Sequence, residues 1–177
     1  MMGASQSLLE LVAAAQANAK TSEDRISDIL KLMDGRTGSD AQVEDLRAAT
    51  VSLELAAVDI FSLFEARMQH HFRRGPFSRK LKSLLLDKGQ TDLAERISQY
   101  YLAINVLKHG KGASYRELLN TPSPLVVVKP AKGIIADETH ASTGLVDVSV
   151  PGFFDGLTTT ILEAYHFLEN RQTGTVT

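Results

Sequence analysis

The feature that most constrains this chain is the run from Ala41 to Arg73, which contains neither glycine nor proline. Along this run, side chains that are apolar or easily buried recur at steps of three and four residues. They are Val43, Leu46, Thr50, Leu53, Ala57, Ile60, Phe64, Met68 and His71. At 3.6 residues per turn, this spacing places them on one side of a long α-helix. Because so long an apolar face needs other helices to cover it, the run predicts a helical bundle.

Further helices are predicted on the carboxyl side of the long one. Gly75-Pro76 ends the long helix, since proline cannot continue it. Recurring leucine, isoleucine and aromatic residues then predict helices over Phe77–Leu86, Thr91–Gly110 and Ala113–Asn120. Helices that are joined by short turns pack as antiparallel neighbours. The helix that begins at Thr91 is also expected to lie beside the long helix.

Two shorter helices are predicted before the long one. Alanine and leucine dominate between Ser5 and Ala19, and both favour helix. Ser22 is followed by two acidic residues, which is typical of a second helix start. That helix should end near Gly35, and Ser39 or Asp40 should cap the long helix.

The composition changes after Asn120. Three prolines and a valine triplet predict a strand over Leu125–Lys129, and alternating apolar and polar residues predict another over Gly144–Val150. Together they suggest a hairpin insertion at roughly 122–150. A last helix follows Pro151-Gly152, and a disordered tail is expected from about 171 to 177. We therefore predict a mainly α fold, a single domain over 1–177 with about five helices and a small β-hairpin insertion.

Composition narrows the classes of function. The formal net charge of −2 excludes a generally basic nucleic-acid binder, so any such binding must come from local patches. The chain has no cysteine, which excludes disulfides and cysteine-based metal sites and fits a cytoplasmic protein. No apolar stretch approaches the roughly 20 residues that span a bilayer, so no membrane association is expected.

The end of the Thr91 helix carries the densest set of chemically useful groups. Asn105 and His109 are four residues apart, which places them on one face of the helix. Lys108 and Lys111 flank the histidine, and Gly110 should end the helix. A simpler interpretation is that the lysine and histidine complement the helix dipole and that Asn105 bonds a loop.

This spacing resembles the signature of the HEPN superfamily, all-helical domains found in prokaryotic toxins, antiphage systems and ribonucleases. That signature is an arginine, a polar residue, three variable residues and a histidine, which fall here on Ile104, Asn105 and His109. The likeness implies a helical fold and a homodimer in which arginine and histidine face each other and cleave RNA without a metal. Since Ile104 replaces the arginine and cannot hold a phosphate, the resemblance implies the fold and the dimer more than the activity.

A second cationic cluster lies at the end of the long helix and beyond it. Aromatic residues Phe72 and Phe77 are interleaved with cations that could follow a phosphate backbone. These are His70, His71, Arg73, Arg74, Arg79, Lys80 and Lys82. Alternatively, the cations form a solvated helix end and the phenylalanines enter the core.

The candidate RNA- or anion-binding residues are Lys108, Lys111, Arg73, Arg74 and Arg116, and the candidate catalytic residues of an active enzyme are His109 and Asn105. Glu65 is either a partner for His109 or half of a surface ion pair. The turn at Gly112 could also hold an anion through backbone N–H groups, with Lys111 and Ser114.

Neither a metal site nor a cofactor is predicted. Adjacent residues of a helix point about 100° apart, which disfavours chelation by His70 and His71. His140 and His166 are isolated in the sequence.

Three functions are consistent with these patterns. The first is a catalytically degenerate HEPN-like module with a basic RNA-binding surface, acting in RNA-associated, defence or toxin–antitoxin processes with a cognate protein partner. The second is a metal-independent ribonuclease that uses His109, with Lys108 or Lys111 in place of the arginine. The third is a structural or regulatory helical protein that oligomerises and does not bind nucleic acid. The sequence leaves open whether the chain is an enzyme.

Overall fold

A computed structural model describes residues 6–129 and 144–173 and shows a mainly helical protein. Six α-helices lie within these ranges. They are α1 (Leu8–Met33), α2 (Asp40–Met68), α3 (Phe77–Asp87), α4 (Thr91–His109), α5 (Ala113–Asn120) and α6 (Phe153–Thr173), with a short 3₁₀ helix at Gln69–His71 after α2. The prediction of a helical bundle is therefore confirmed. None of these helices is both long and apolar enough to cross a membrane.

The predicted long helix is present as α2. Ser39 caps it by accepting a hydrogen bond from the Gln42 backbone, while the Gln42 side chain accepts one from the Ser39 backbone. The predicted face is buried from Leu53 onward, whereas Val43 near the amino end is half exposed. The helix ends at Met68 rather than Arg73, because the chain tightens into the 3₁₀ turn before the Gly75-Pro76 break.

The predicted helix start at Ser22 is wrong, because α1 runs through it without interruption. The cap is Ser7, whose hydroxyl accepts from the Glu10 backbone at 3.2 Å. Ser22 lies inside the helix with its hydroxyl 3.4 Å from that of Ser52 on α2. Packing against α2 therefore outweighs the local capping signal.

The predicted hairpin is also wrong. The described residues contain no strand, only isolated antiparallel bridges, of which Val128–Val146 joins the two segments. Two backbone hydrogen bonds support it, from Lys129 N to Leu145 O at 2.8 Å and from Asp147 N to Val127 O at 2.9 Å. Leu145 and Val146 are both buried although they are consecutive, so this segment packs into the core without the alternation of a strand. The chain between 130 and 143 lies outside the described residues.

Two helical hairpins, the short helix α5 beside α4, and the last helix α6 form the bundle. α1 and α2 pack as neighbours, as do α3 and α4, where Lys82 Nζ donates to Ser98 Oγ at 3.3 Å. α6 contacts α1, α2 and α4, and Arg96 on α4 donates hydrogen bonds to Thr160 and Glu163 on α6.

α6 continues to Thr173, so the first residues of the predicted disordered tail are helical, and 174–177 lie outside the described residues. The described helices share one core, whose largest fully buried side chains include Tyr100, Phe61, Phe64, Phe154, Leu53, Leu81 and Leu85.

Candidate nucleic-acid interface

The motif positions at the end of α4 divide between core and surface. Ile104 is 1% exposed and belongs to the core, where an arginine would bury an unpaired charge. Asn105 is half-buried, and its Nδ2 donates to Ser114 Oγ at 3.3 Å, which links α4 to α5. Asn105 therefore helps hold the turn between these helices, and the Ser114 hydroxyl suggested for anion binding already accepts this hydrogen bond.

Lys108 lies beside the last turns of α2. It lines a shallow cavity of about 340 Å³ with Ser62, Glu65, Ala66 and Gln69. Burial raises the pKa of Glu65, and the positive charge of Lys108 partly opposes this rise. Within the described residues, Glu65 forms no ion pair with His109 or with a lysine, although Lys108 is close enough to influence its pKa. The acidic neighbour weakens Lys108 as an anion-binding group.

His109, Lys111 and Arg116 are exposed around the turn from α4 to α5. Among the residues that the structure describes, none forms a hydrogen bond or an ion pair with these three side chains. Gly110 ends α4, with its N–H donating to Val106 O at 2.8 Å. His109 is therefore accessible but has no neighbouring group that fixes its tautomer or polarises it, as a general base would need.

The second cationic cluster surrounds a real concavity. His71, Phe72, Arg73, Arg74 and Lys80 line an open cavity of about 550 Å³, which we term the basic pocket. Within 6–129 and 144–173, no acidic side chain forms an ion pair with its two arginines or its lysine. Three cations around one concave surface have the charge and the donors that an anion with several charged oxygens would require.

A glycine turn sets the shape of the basic pocket. Gly75 has φ +95°, a conformation that residues with a Cβ rarely adopt. The Cε of Lys80 would lie only 2.8 Å from a Cβ added at Gly75, so the lysine stem packs directly on the turn. Pro76 then leads into α3. The turn thus brings Lys80 back beside the two arginines that precede it.

The aromatic residues of this cluster serve the core. The ring centroids of Phe72 and Phe77 are 5.6 Å apart in an edge-to-face arrangement, and those of Phe77 and Phe64 are 5.3 Å apart. Phe77 is buried, whereas Phe72 is partly buried and contributes to the pocket wall. The alternative in which the phenylalanines enter the core is the one that the structure supports.

The two candidate regions meet at one end of the bundle. Gln69 lines the cavity that contains Lys108, and it is the first residue of the 3₁₀ turn that leads into the basic pocket. The end of α4 and the basic pocket are therefore neighbours in space within a single molecule. Arg79 and Lys82 lie outside this pocket, and Lys82 is committed to Ser98.

Sequence reasoning missed the environment of His71. Its side chain is 4% exposed, and its Nε2 lies 3.5 Å from Glu169 Oε1 on α6. Burial lowers the pKa of His71, as does the neighbouring His70, while Glu169 opposes the shift. The position of His71 on the apolar face of the long helix signalled burial, but nothing in the sequence pointed to Glu169.

Glu54 is a second residue that was missed. It lies in the buried part of α2 at 8% exposure, and burial raises its pKa to about 7. A backbone hydrogen bond from Gly144 opposes this rise, and the charge of Asp147 adds to it. The sequence did carry a signal for this burial. Residues three or four apart share one side of a helix, and Glu54 precedes the buried Ala57 by three residues.

In comparisons with known proteins, no family model, no curated protein and no solved structure matches this chain.

Proposed function

We propose that this protein is a HEPN-like helical module that binds RNA through the basic pocket and does not cleave it. The observation that carries the proposal is the grouping of Arg73, Arg74 and Lys80 around one concave surface without a compensating acid among the described residues. Arginine offers two parallel N–H donors to phosphate oxygens, so this group suits a polyphosphate backbone better than isolated lysines do.

The α4 motif lacks the cationic group that RNA cleavage needs. A ribonuclease of the HEPN type needs a cation that stabilises the phosphate charge next to a proton-transferring histidine. Ile104 occupies the cationic position and is buried, and Lys108, four residues further along α4, lines a cavity with Glu65. His109 is therefore left as an exposed polar side chain at the edge of the interface. We further propose a homodimer, with the exposed end of α4 at the dimer contact, as the family resemblance implies.

The test is fluorescence anisotropy with a labelled single-stranded RNA, followed by gel analysis of the same samples. EDTA is present throughout, and the native chain is compared with His109→Ala. We expect binding that weakens with salt, with a slope of about −0.7 per phosphate contact in a log–log plot. The RNA should stay intact with both proteins, and His109→Ala should change the affinity less than about threefold.

Two outcomes would overturn this proposal. Cleavage by the native chain that is lost in His109→Ala would establish a metal-independent ribonuclease. A folded protein without salt-dependent RNA binding would make the chain a structural or partner-binding protein. Circular dichroism on both samples verifies that the fold is intact.

A further inference from the structure

The junction between the end of α2 and α6 gathers three side chains that bind metals. His70 and His71 belong to the 3₁₀ turn, and Glu169 lies near the end of α6. One ligand atom from each lies within 4.8 Å of the other two. The imidazole centroids of His70 and His71 are only 4.2 Å apart, with an angle of 34° between the rings. Although adjacent Cβ atoms diverge, these two rings lie side by side.

The innermost member of this group has an unsatisfied polar atom. His71 is 4% exposed at its side chain, and its Nε2 has no hydrogen-bond partner in the described part of the chain. The nearest acidic oxygen, Oε1 of Glu169, is 3.5 Å away, which is too long for a strong hydrogen bond. A buried nitrogen without a partner is costly, and a bound cation would satisfy it together with the carboxylate.

The outer histidine is held in the way that metal ligands usually are. His70 Nδ1 lies 2.8 Å from the backbone carbonyl oxygen of Arg67. Since a carbonyl only accepts, Nδ1 carries the proton, and the lone pair is on Nε2. Metal-binding histidines almost always donate their second nitrogen to a carbonyl or carboxylate, which fixes the ring and its tautomer.

We propose that His70, His71 and Glu169 form a binding site for a divalent transition-metal ion of the zinc type. Two neutral imidazoles and one carboxylate suit zinc, whereas magnesium and calcium prefer oxygen ligands alone. The ion links the 3₁₀ turn to α6. Because His71 also lines the basic pocket, the metal fixes one wall of that pocket. This site does not depend on RNA binding.

Zinc titration of the full chain by calorimetry, in chelator-free buffer without RNA, tests the site. The chain has five histidines and no cysteine, so a variant with His109, His140 and His166 all changed to alanine retains only the proposed pair. We expect the native chain and this triple variant to bind a single zinc ion with the same affinity. Glu169→Gln and His70→Ala should each weaken binding at least about tenfold, because even the loss of an outer-sphere partner costs 10- to 100-fold. Magnesium should give no binding heat.

Thermal unfolding with and without zinc provides the second measurement. The native chain and the triple variant should show a higher Tm with zinc, and Glu169→Gln should not. Glu169 is 38% exposed, so its isosteric change is compatible with folding, which circular dichroism verifies. Zinc binding that disappears in the triple variant, or that survives unchanged in both Glu169→Gln and His70→Ala, would overturn the proposal. So would the absence of saturable binding to the native chain.

Discussion

The basic pocket and the end of α4 carry similar charges but differ in how those charges are arranged. In the basic pocket, Arg73, Arg74 and Lys80 surround one cavity, and the lysine stem is packed on a glycine turn. At the end of α4, Lys108 lies beside Glu65, while Lys111 is exposed by itself. Charges that are grouped and held in place bind a polyanion with less loss of side-chain entropy than scattered ones. The number of cations is therefore a poorer guide to an interface than their organisation.

The largest expected effect comes from removing two charges in each region. Arg73→Gln with Arg74→Gln should weaken RNA binding on the order of 100-fold, at about 1.4 kcal/mol for each charge-assisted contact. Lys108→Gln with Lys111→Gln removes the same charge and should cost roughly fivefold, since scattered exposed charges contribute about 0.5 kcal/mol each. Anisotropy titrations in one buffer measure both. A larger loss from the lysine pair would place the interface at the end of α4.

The next effect is the dependence of folding stability on pH. It limits the pH range over which the basic pocket and the end of α4 can be compared. Burial raises the pKa of Glu54 in the folded chain to about 7, while an unfolded glutamate loses its proton near 4.5. The folded state thus binds the proton more tightly, and stability falls as pH rises from about 4.5 to 7. At about 1.4 kcal/mol for each pH unit, the full change would be about 3 kcal/mol, and solvent screening of this partly accessible group should reduce the loss to about 2 kcal/mol. Stability should be level above pH 7 as far as this group is concerned.

Urea unfolding between pH 5 and 8 measures this dependence. Glu54→Gln should remove most of the slope, because a glutamine resembles the protonated acid at every pH. Glu117→Gln changes an exposed glutamate of α5 and should leave the slope in place. An unchanged slope in Glu54→Gln would show that the pH dependence arises elsewhere.

The smallest expected effect tests the glycine turn that distinguishes the basic pocket. Gly75→Ala should destabilise the fold by about 1–2 kcal/mol, because an alanine at φ +95° is strained and meets Lys80. Gly89→Ala is the matched control, since Gly89 has φ +76° with no atom within 4 Å of an added Cβ. Only Gly75→Ala should also weaken RNA binding. Equal RNA affinities in the two variants would show that the position of Lys80 is unimportant.

The helices from α2 to α5 were predictable because their signals are local. Ser39 and Gln42 define the start of α2, Gly75-Pro76 separates α2 from α3, and Gly110 ends α4. Ser22 led to a wrong prediction because a serine followed by two acidic residues has the same sequence pattern inside a helix as at its start. Only the packing of α1 on α2 shows that the helix continues through it.

The candidate sites were less predictable because they depend on contacts between distant residues. The cations of the basic pocket are close in sequence, so their grouping could be anticipated. In contrast, Lys108 meets the end of α2, and His71 meets Glu169, through the packing of helices that are far apart in the chain. A periodic pattern shows which face of a helix is buried but not which helix covers it.

The bridge between Val128 and Val146 has a consequence for how this protein can vary. Two backbone hydrogen bonds, from Lys129 to Leu145 and from Asp147 to Val127, hold the two sides of the intervening stretch together. The hydroxyl of Tyr115 also donates to Lys129 O at 2.7 Å, which fastens this junction to α5. Since the cost of closing a chain segment grows only slowly with its length, each doubling of the number of residues between Lys129 and Gly144 should cost this junction only about 0.6 kcal/mol.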